Sequence, residues 1–251
     1  MSAARVIKFG GTSLGSAARI VRAAARVRAH VERGREVVVV VSASGGATDR
    51  ILARAARVSD WAAPRETDRA LATGEDLAAA LLAAALAAAG VPARSLRGGE
   101  AGVEVVGEYG AGSIRRVHDV PLRRLLERGI VPVVSGFQGR REDGETLTLG
   151  RGGSDTSAVA IAAALRAPCD IVTDVEAVFD RDPRADPDAV RLDELTHAEL
   201  LELAEAGARV IHPAAARWAL EHGVPLRIHH FRAPFSGHGG TRVRAAAWSG
   251  A

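Results

Sequence analysis

The order of apolar and polar positions in the first 60 residues alternates between short apolar runs and longer amphipathic segments. It predicts a strand over 5–9, a helix from about Ser16 that stops at Gly34, a strand through "REVVVVVSA" and a helix through "ATDRILARAARVSD". Continuous valine runs are typical of strands that are buried on both faces of a parallel sheet. The alternation therefore predicts an α/β domain with right-handed crossover connections.

The remainder of the chain continues this alternation without a linker rich in Pro, Gly and Ser. We expect "RETDRALATGEDLAAALLAAALAAAG" to form one long helix or a broken pair that ends at Gly90. Further elements follow in the order strands "ARSLR" and "VEVVGEYG", helix "PLRRLLERG", strand "IVPVVSGFQG", hairpin "REDGETLTLG", helix "GRGGSDTSAVAIAAALRA", strand "CDIVTDV", helices "THAELLELAEAGA" and "HPAAARWALEHG", and a last strand "VPLRIHHF". The whole pattern predicts a single domain over residues 1–251, a three-layer α/β/α sandwich around a mainly parallel central sheet.

Composition excludes several classes of protein. The chain has 47% hydrophobic residues, 4% aromatic residues and a net charge of +3, and its arginines are spread along the sequence. Nucleic-acid binders more often show a basic stripe with stacking aromatics. The longest apolar run, 77–89, is too short for a membrane span, and no hydrophobic signal segment opens the chain. Cys169 is the only cysteine, so no intrachain disulfide is possible, which fits a reducing compartment. Taken together, these observations lead us to expect a cytoplasmic protein without nucleic-acid or membrane partners.

Three glycine-rich loops, 10–15, 42–48 and 150–155, each follow a predicted strand. In open α/β sheets, ligands bind outside the carboxyl ends of the strands, so we expect the three loops to converge on one cleft. Glycines allow backbone N–H groups to approach an anion closely, and a following helix adds its positive end. Neither the "GxxxxGK" phosphate loop nor the "GxGxxG" dinucleotide motif is present.

Lys8 is the only lysine among the 33 Lys and Arg residues, and it stands immediately before the first glycine loop. A lysine is a compact point charge, whereas an arginine is a broad planar fork. The position therefore indicates an ammonium that points towards a phosphate, although an ordinary strand-to-helix turn with a surface lysine gives the same pattern. In the second loop, Ser42 and Thr48 offer hydroxyls, and Thr48 is also a suitable helix N-cap.

The third loop, "TLGRGGSDTSA", contains five adjacent candidate site residues. Arg151, Gly152, Gly153, Ser154 and Asp155 stand together at a predicted helix start. A capping carboxylate explains Asp155 alone, but the five residues together indicate an anion site with an acidic organiser.

The later stretch "TDVEAVFDRDPR" is acidic and places Thr173 and Asp174 at a strand end. It lacks calcium-loop spacing, and an acidic surface turn is the alternative for it.

Together these motifs resemble the amino acid kinase family, and within it the aspartokinases. The resemblance spans nearly the whole chain, through "VIKFGGTSLGS", "VVVVVSASGGATD", "TGEDLAAALLAAAL", "VPVVSGFQG", "TLGRGGSDTSA", "IVTDVEAVFDRDPR", "GARVIHP" and "GGTRV". It implies transfer of the γ-phosphoryl group of MgATP to the side-chain carboxylate of aspartate, by a homodimer. It also implies that residues 1–135 lie mainly on the substrate and phosphate side and residues 136–251 mainly on the nucleotide side. No regulatory ACT domain is expected.

The resemblance also implies a role for particular residues. Lys8 and Asp155 would be catalytic, and Mg²⁺ would be held mainly by the ATP phosphates. Substrate would contact Ser42, Thr48, Glu75, Arg151 and Ser154, with Glu75 on its amino group and Arg151 on a carboxylate. ATP and its phosphates would contact Lys8, Gly10, Gly11, Ser13, Gly152, Gly153, Thr173, Asp174, Phe179, Arg184 and Arg209. A carboxylate nucleophile is already ionised, so no general base is needed, and His212 is expected to make a polar contact at a helix start.

Several positions depart from the aspartokinase pattern: Ala78, Gln138, Phe179, Ala206, Arg209, His229 and His230. Arg209 replaces a lysine on the ATP side, and arginine is not an equivalent replacement. Three hypotheses stay open: an aspartate kinase, a kinase of the same family for another small acid, and a nucleotide-binding pseudokinase. The presence of Lys8, Asp155, Arg151 and Glu75 together argues against the pseudokinase.

Overall fold

The computed structural model describes residues 4–58, 63–181, 186–208, 210–233 and 239–244. The first half contains β1 (Arg5–Phe9), α1 (Ala17–Val31), β2 (Val37–Val41), α2 (Ala47–Val58), α3 (Pro64–Ala88), β3 (Ala93–Leu96), β4 (Val103–Val106), β5 (Ser113–Val117), α4 (Val120–Leu126) and β6 (Val131–Ser135). The second half contains β7 (Gln138–Arg140), β8 (Thr146–Thr148), α5 (Gly153–Leu165), β9 (Cys169–Thr173), β10 (Val178–Phe179), β11 (Arg191–Leu192), β12 (Glu194–Thr196), α6 (His197–Glu205), α7 (Pro213–His222), β13 (Leu226–His230) and β14 (Thr241–Arg244).

The central sheet has eight strands in the order β12-β14-β13-β9-β1-β2-β6-β3. Every neighbouring pair is parallel except β13 and β14. Side chains alternate between two apolar clusters, so that Val6 of β1 faces one cluster while Ile7 and Phe9 face the other. Helices α1 and α3 cover one face, and α4, α5, α6 and α7 cover the other. The predicted three-layer α/β/α sandwich with a mainly parallel sheet is confirmed.

The helices begin and end where the local sequence predicts. The Ser16 hydroxyl accepts a hydrogen bond from the Arg19 backbone N–H and caps α1, and Gly34 takes a φ of +73° just after that helix. α3 is one continuous helix rather than a broken pair, and Pro64 stands at its first turn. By length and composition α3 is apolar enough to cross a membrane, but Leu82 and Leu86 of its inner face pack in the core beside β2 and β6.

Several short strands were not predicted. β5, β10, β11, β12 and β14 are two to five residues long and carry no continuous apolar run. The segment "VPLRIHHF" is not the last strand, because β14 follows and pairs antiparallel to β13. The hairpin starts at Gln138, earlier than the predicted segment, because β7 pairs with β8 from Gln138 to Arg140. Pairing with other strands, which local periodicity does not report, stabilises these strands.

A second sheet, in the order β5-β4-β7-β8, lies against the N-terminal half of α3. The contacts come from one polar stripe on α3 formed by Arg65, Asp68, the Ala72 carbonyl and Asp76, whose spacing of three and four residues places them on one face. Arg65 pairs with Glu145 at 2.8 Å. The Gln138 amide donates to the Ala72 carbonyl at 3.2 Å and to Asp76 at 3.0 Å. This α3 polar stripe fixes the small sheet on the central one.

Asp68 is the fully buried carboxylate of the α3 polar stripe. Its buried carboxylate accepts from the Thr148 backbone N–H at 2.8 Å, the Thr148 hydroxyl at 2.9 Å and the Gly110 backbone N–H at 3.0 Å. Three donors on one buried carboxylate compensate for the loss of its hydration. Asp68 thereby holds the end of β8, from which the third glycine loop departs.

We expect Asp68→Ala to lower the free energy of unfolding by about 3–4 kcal/mol, because the buried N–H and hydroxyl of Thr148 and the N–H of Gly110 lose their acceptor. Urea unfolding followed by circular dichroism measures the change. Glu66→Ala, on the exposed side of the same helix, is the control and should change stability by less than about 1 kcal/mol. Equal effects of the two substitutions would contradict the role of Asp68.

Candidate active site

The side chain of Lys8 reaches the N-terminal turn of α5. Lys8 lies on β1, between β2 and β9 in the middle of the central sheet, and is 8% exposed. Its Nζ is 2.6 Å from Oδ1 of Asp155, in the first turn of α5. In so shielded a place a charge pair at this distance is held firmly, since separating the two groups would leave a charge without compensation. The two residues that the sequence marked as catalytic therefore contact each other.

The first and second glycine loops also contact each other. The Gly45 backbone N–H donates to the Gly11 carbonyl at 3.0 Å, and the Gly10 N–H donates to the Val172 carbonyl at 3.1 Å. A Cβ at Gly11 would lie 2.5 Å from the Ala43 carbonyl oxygen, closer than real Cβ atoms come. This close approach of two backbones requires glycine.

The third loop turns sharply before α5. Gly150 and Gly152 have φ values of +69° and +71°, which favour glycine. A Cβ on Gly152 would lie 2.1 Å from Cβ of His212. The tight turn aims the N-terminus of α5, with its partial positive charge, at the end of β1. Together with the Lys8–Asp155 pair, it brings all three loops to one edge of the sheet.

A cavity of about 390 Å³ opens beside this pair. This volume is within the range of small-molecule sites. Its lining consists of Lys8, Gly152, Asp155, Ile171, Thr173, Ala204, Gly207, Ala208, Val210, Ile211, His212 and Pro213. Four of these, Lys8, Gly152, Asp155 and Thr173, are sequence-predicted site residues. The apolar residues after α6 were missed, because alanine and isoleucine at a helix end carry no chemical signal of their own.

The predicted nucleotide residues are only partly brought to the cavity. The Thr173 hydroxyl donates to the exposed Asp174 carboxylate at 3.2 Å, at the rim. Phe179 lies on β10 and does not line the cavity, because β10 pairs with β11 outside the central sheet. Arg184 and Arg209 lie outside the described residues.

Glu75 lies where α3 meets the second loop. It is 4% exposed, and its Oε1 accepts from the Ala43 backbone N–H at 2.9 Å. Its Oε2 is buried and has no hydrogen-bond partner among the described residues. Burial is the main cause that raises the pKa of the Glu75 carboxyl to about 7, the negative charge of Asp76 adds to it, and the Ala43 N–H opposes it. A cationic ligand group would satisfy this free oxygen.

The remaining predicted substrate residues lie on the same loops. Arg151 is exposed in the turn before α5, and Ser154 is buried in its first turn. Ser42 and Thr48 are half-buried at the end of β2 and the start of α2. The Ser154 Cβ lies 2.9 Å from the position that a Cβ on Gly136 would take, so α5 packs closely on the segment after β6.

Ser13 departs from the expectation of a phosphate contact. Its hydroxyl is buried without a partner among the described residues. It lines a narrow cavity of about 10 Å³ with Phe9, Arg26 and Phe231, on the α1 side of the sheet. The 3-10 turn at Gly11–Leu14 directs the side chain there, away from the cavity at Lys8.

Two histidines have structural contacts. Nδ1 of His212 accepts from the Ala214 N–H at 3.3 Å and caps α7, as the sequence predicted. His229 is fully buried beside Arg26, at 3.2 Å, and burial, followed by the Arg26 charge, lowers the pKa of the His229 imidazole to about 4. The imidazole is therefore neutral at pH 7. His229, which departs from the aspartokinase pattern, thus lies in the core and does not line the cavity. Among the described residues, no three His, Cys, Asp or Glu side chains are grouped as a metal site.

Known proteins provide an independent comparison. The family model described as "Amino acid kinase family" matches residues 4–230. An aspartokinase from Geobacillus stearothermophilus is 46% identical over 95% of this chain and 58% of its own length. Aspartate kinase from Synechocystis superimposes with a TM-score of 0.84 at 42% identity, covering 99% of this chain and 40% of that one. Aspartokinase III from E. coli, in complex with aspartate and ADP, has a TM-score of 0.84 at 26% identity, covering 98% and 65%.

The chain thus spans about three fifths of the length of the curated relatives that it matches. The match includes β1 with Lys8 and the start of α5 with Asp155, and it ends within β13. Because the family model covers most of the chain and the fold agrees over nearly all of it, this chain belongs to the amino acid kinase family.

Proposed function

We propose that this chain transfers the γ-phosphoryl group of MgATP to the side-chain carboxylate of L-aspartate and forms 4-phospho-L-aspartate. The observation that carries the proposal is the Lys8–Asp155 pair at 2.6 Å, set among three glycine loops beside a cavity of about 390 Å³. The 46% identity to an aspartokinase supports aspartate as the acceptor.

Phosphoryl transfer depends on alignment and on positive charge opposite the phosphoryl oxygens. The Lys8 ammonium supplies that charge, and Asp155 holds it at the end of β1. The backbone N–H groups of Gly11 and Gly152 are available for phosphate oxygens, whereas those of Gly10 and Gly153 donate to the Val172 and Gly150 carbonyls and would shape the loops around the phosphates. Mg²⁺, held mainly by the ATP phosphates, supplies further positive charge when it is bound.

The acceptor is positioned by groups of opposite charge. The free oxygen of Glu75 accepts from the substrate ammonium, and the Arg151 fork pairs with a carboxylate. The hydroxyls of Ser42, Thr48 and Ser154 supply neutral contacts. An aspartate side chain, with an ordinary pKa near 4, is ionised at neutral pH, so no general base has to deprotonate it.

The nucleotide binds on the side of Lys8 that is opposite the acceptor. Thr173 and Asp174 stand at the rim of the cavity, and Phe179, Arg184 and Arg209 belong to the proposal through the family resemblance. Ala204, Val210 and Ile211 give the cavity an apolar wall that suits a nucleobase. From the family resemblance we also propose that residues 1–135 lie mainly on the substrate and phosphate side and residues 136–251 mainly on the nucleotide side.

The same resemblance is the ground on which we propose a homodimer. A cytoplasmic location is proposed because the single cysteine, Cys169, is buried and reduced.

A kinase for a different small acid is the second candidate. The observation that favours it is the buried Gln138, which bonds to Asp76 immediately beside Glu75. The amino-group end of the substrate site thus departs from the family pattern. A pseudokinase is disfavoured by the intact Lys8–Asp155 pair.

Acyl phosphates react with hydroxylamine, which gives a direct test of the acceptor. We expect the purified protein with MgATP and hydroxylamine to form a hydroxamate from L-aspartate, detected as its coloured iron complex. Glutamate, N-acetylglutamate and other small acids form the comparison panel. Product from another acid alone would establish the second candidate, and no product from any acid, despite ATP binding, would establish the pseudokinase.

We expect Lys8→Arg to keep the charge and lose roughly 100- to 1,000-fold in kcat, because a guanidinium does not reproduce the position of the ammonium. The hydroxamate assay measures the loss. Arg54→Lys, at an exposed position on α2, is the matched control, and near-normal turnover of Lys8→Arg would refute the geometric role of Lys8.

Glu75→Gln should stabilise the free protein while it weakens aspartate binding. Since the folded-state pKa of Glu75 is raised to about 7, the folded protein holds that proton more tightly, and its stability falls as pH rises from about 4.5 through 7. The neutral variant should therefore exceed the wild type by about 1–3 kcal/mol at pH 8, with the advantage vanishing near pH 4.5.

Urea unfolding at pH 5 and pH 8 measures this difference, with Glu66→Gln as the exposed control on the same helix. The KM for aspartate should rise roughly 10- to 100-fold in Glu75→Gln. A variant that is destabilised at pH 8, or that binds aspartate normally, would contradict the assigned role.

A further inference from the structure

We infer that Asp76 is a positioning residue for substrate binding and that the buried Gln138 is one of the partners that hold it in place. The inference rests on the proposed function, because Asp76 acts through the grip of Glu75 on the amino group of the substrate. It concerns a carboxylate that stands next to Glu75 in the same motif and that has no role in the proposed function.

One carboxylate connects α3 with three other segments. Oδ1 of Asp76 accepts from the Ser135 hydroxyl at 2.8 Å and from the Gln138 amide at 3.0 Å. Oδ2 pairs with Nε of Arg97 at 3.1 Å. Ser135 ends β6, Gln138 begins β7 and Arg97 follows β3. The turn of α3 that carries Glu75 is thereby fixed against the carboxyl edge of the central sheet.

Gln138 is built into this arrangement. It is 1% exposed, and its amide nitrogen donates both to Asp76 and to the Ala72 carbonyl, one helical turn earlier. Its backbone is enclosed as well, since a Cβ on Gly98 would lie 2.0 Å from the Gln138 carbonyl oxygen. An aliphatic side chain at this position would pack but would donate to neither group.

Charge gives Asp76 a second effect on Glu75. Burial is the main cause of the raised pKa of Glu75, and among the described residues Asp76 is the charged group that adds to it, while the backbone N–H groups of Ala43 and of Glu75 itself oppose it. The Ser135 hydroxyl, the Gln138 amide and the Arg97 guanidinium face Asp76 and offset its negative charge. The Asp76 carboxylate thus affects both the position of Glu75 and its protonation. Suitable variants separate these two effects.

Three variants divide these contributions. Asp76→Ala removes both the contacts and the charge, Asp76→Asn removes the charge but keeps an acceptor for Ser135 and Gln138, and Gln138→Leu keeps the charge but removes a donor. Glu66→Gln is the matched control on an exposed position of α3. Each variant is assayed for the KM of aspartate, the KM of ATP, kcat and the pH dependence of kcat/KM, with thermal unfolding as the check of folding.

For Asp76→Ala we expect the KM for aspartate to rise roughly tenfold, with kcat and the KM for ATP within about twofold of wild type. For Asp76→Asn we expect the acidic limb of the pH profile to move to lower pH, because a negative charge beside Glu75 is gone. For Gln138→Leu the limb should stay or move to higher pH, because Asp76 is then less well neutralised. A residue that only supports the fold would change stability and move neither the limb nor the ratio of the two KM values.

Wild-type KM values for aspartate in Asp76→Ala and Gln138→Leu would overturn the inference and leave the proposed function standing. Limb shifts in the same direction in Asp76→Asn and Gln138→Leu would overturn the charge effect. If the wild type phosphorylates another amino acid instead, the proposed function is wrong and the same comparison decides the inference with that acid. If the wild type phosphorylates no acid, both fail.

Discussion

The ion pair between Lys8 and Asp155 is the interaction on which the site depends. It joins the central strand of the sheet to the first turn of α5, and neither group would be tolerated there without the other. The pair can form because Gly150 and Gly152 adopt positive φ values and turn the chain sharply into α5. Two glycines and one ion pair thus determine where the positive helix end and the ammonium meet, and the cavity lies directly beside that meeting point.

The substrate side depends on a different element, the long helix α3. Glu75 belongs to this helix, whereas Arg151 follows β8 of the small sheet, so their separation is set by how the helix and that sheet are joined. The α3 polar stripe makes this connection. Asp68 bonds to Thr148 at the end of β8, and Asp76, next to Glu75, bonds to Gln138 at the start of β7. Polar contacts along one helix face therefore control the distance between the two groups proposed to hold the ends of an amino acid.

Local sequence patterns predicted the elements that carry a clear local signal. The valine run of β2 and the Ser16 cap and Gly34 stop of α1 are such cases. β14 and β10 are short and carry no such signal, and only their pairing with β13 and β11 identifies them as strands. At the site, the loop motifs indicated Lys8 and Asp155, which do meet. The inward direction of Ser13 and the apolar wall at Ile211 depend on tertiary packing, which no short motif encodes.

Glu75 shows why the site and the stability of the fold are in conflict. Burial of its carboxylate, whose Oε2 has no hydrogen-bond partner among the described residues, is unfavourable for the free protein and raises the pKa of Glu75. A substrate ammonium would satisfy the oxygen and return the carboxyl to its charged form, so at pH values below about 7 substrate binding would release a proton. The fold holds Glu75 through Ala43 and the neighbouring Asp76 without completing its hydrogen bonds. What is left incomplete is the position that the ligand fills.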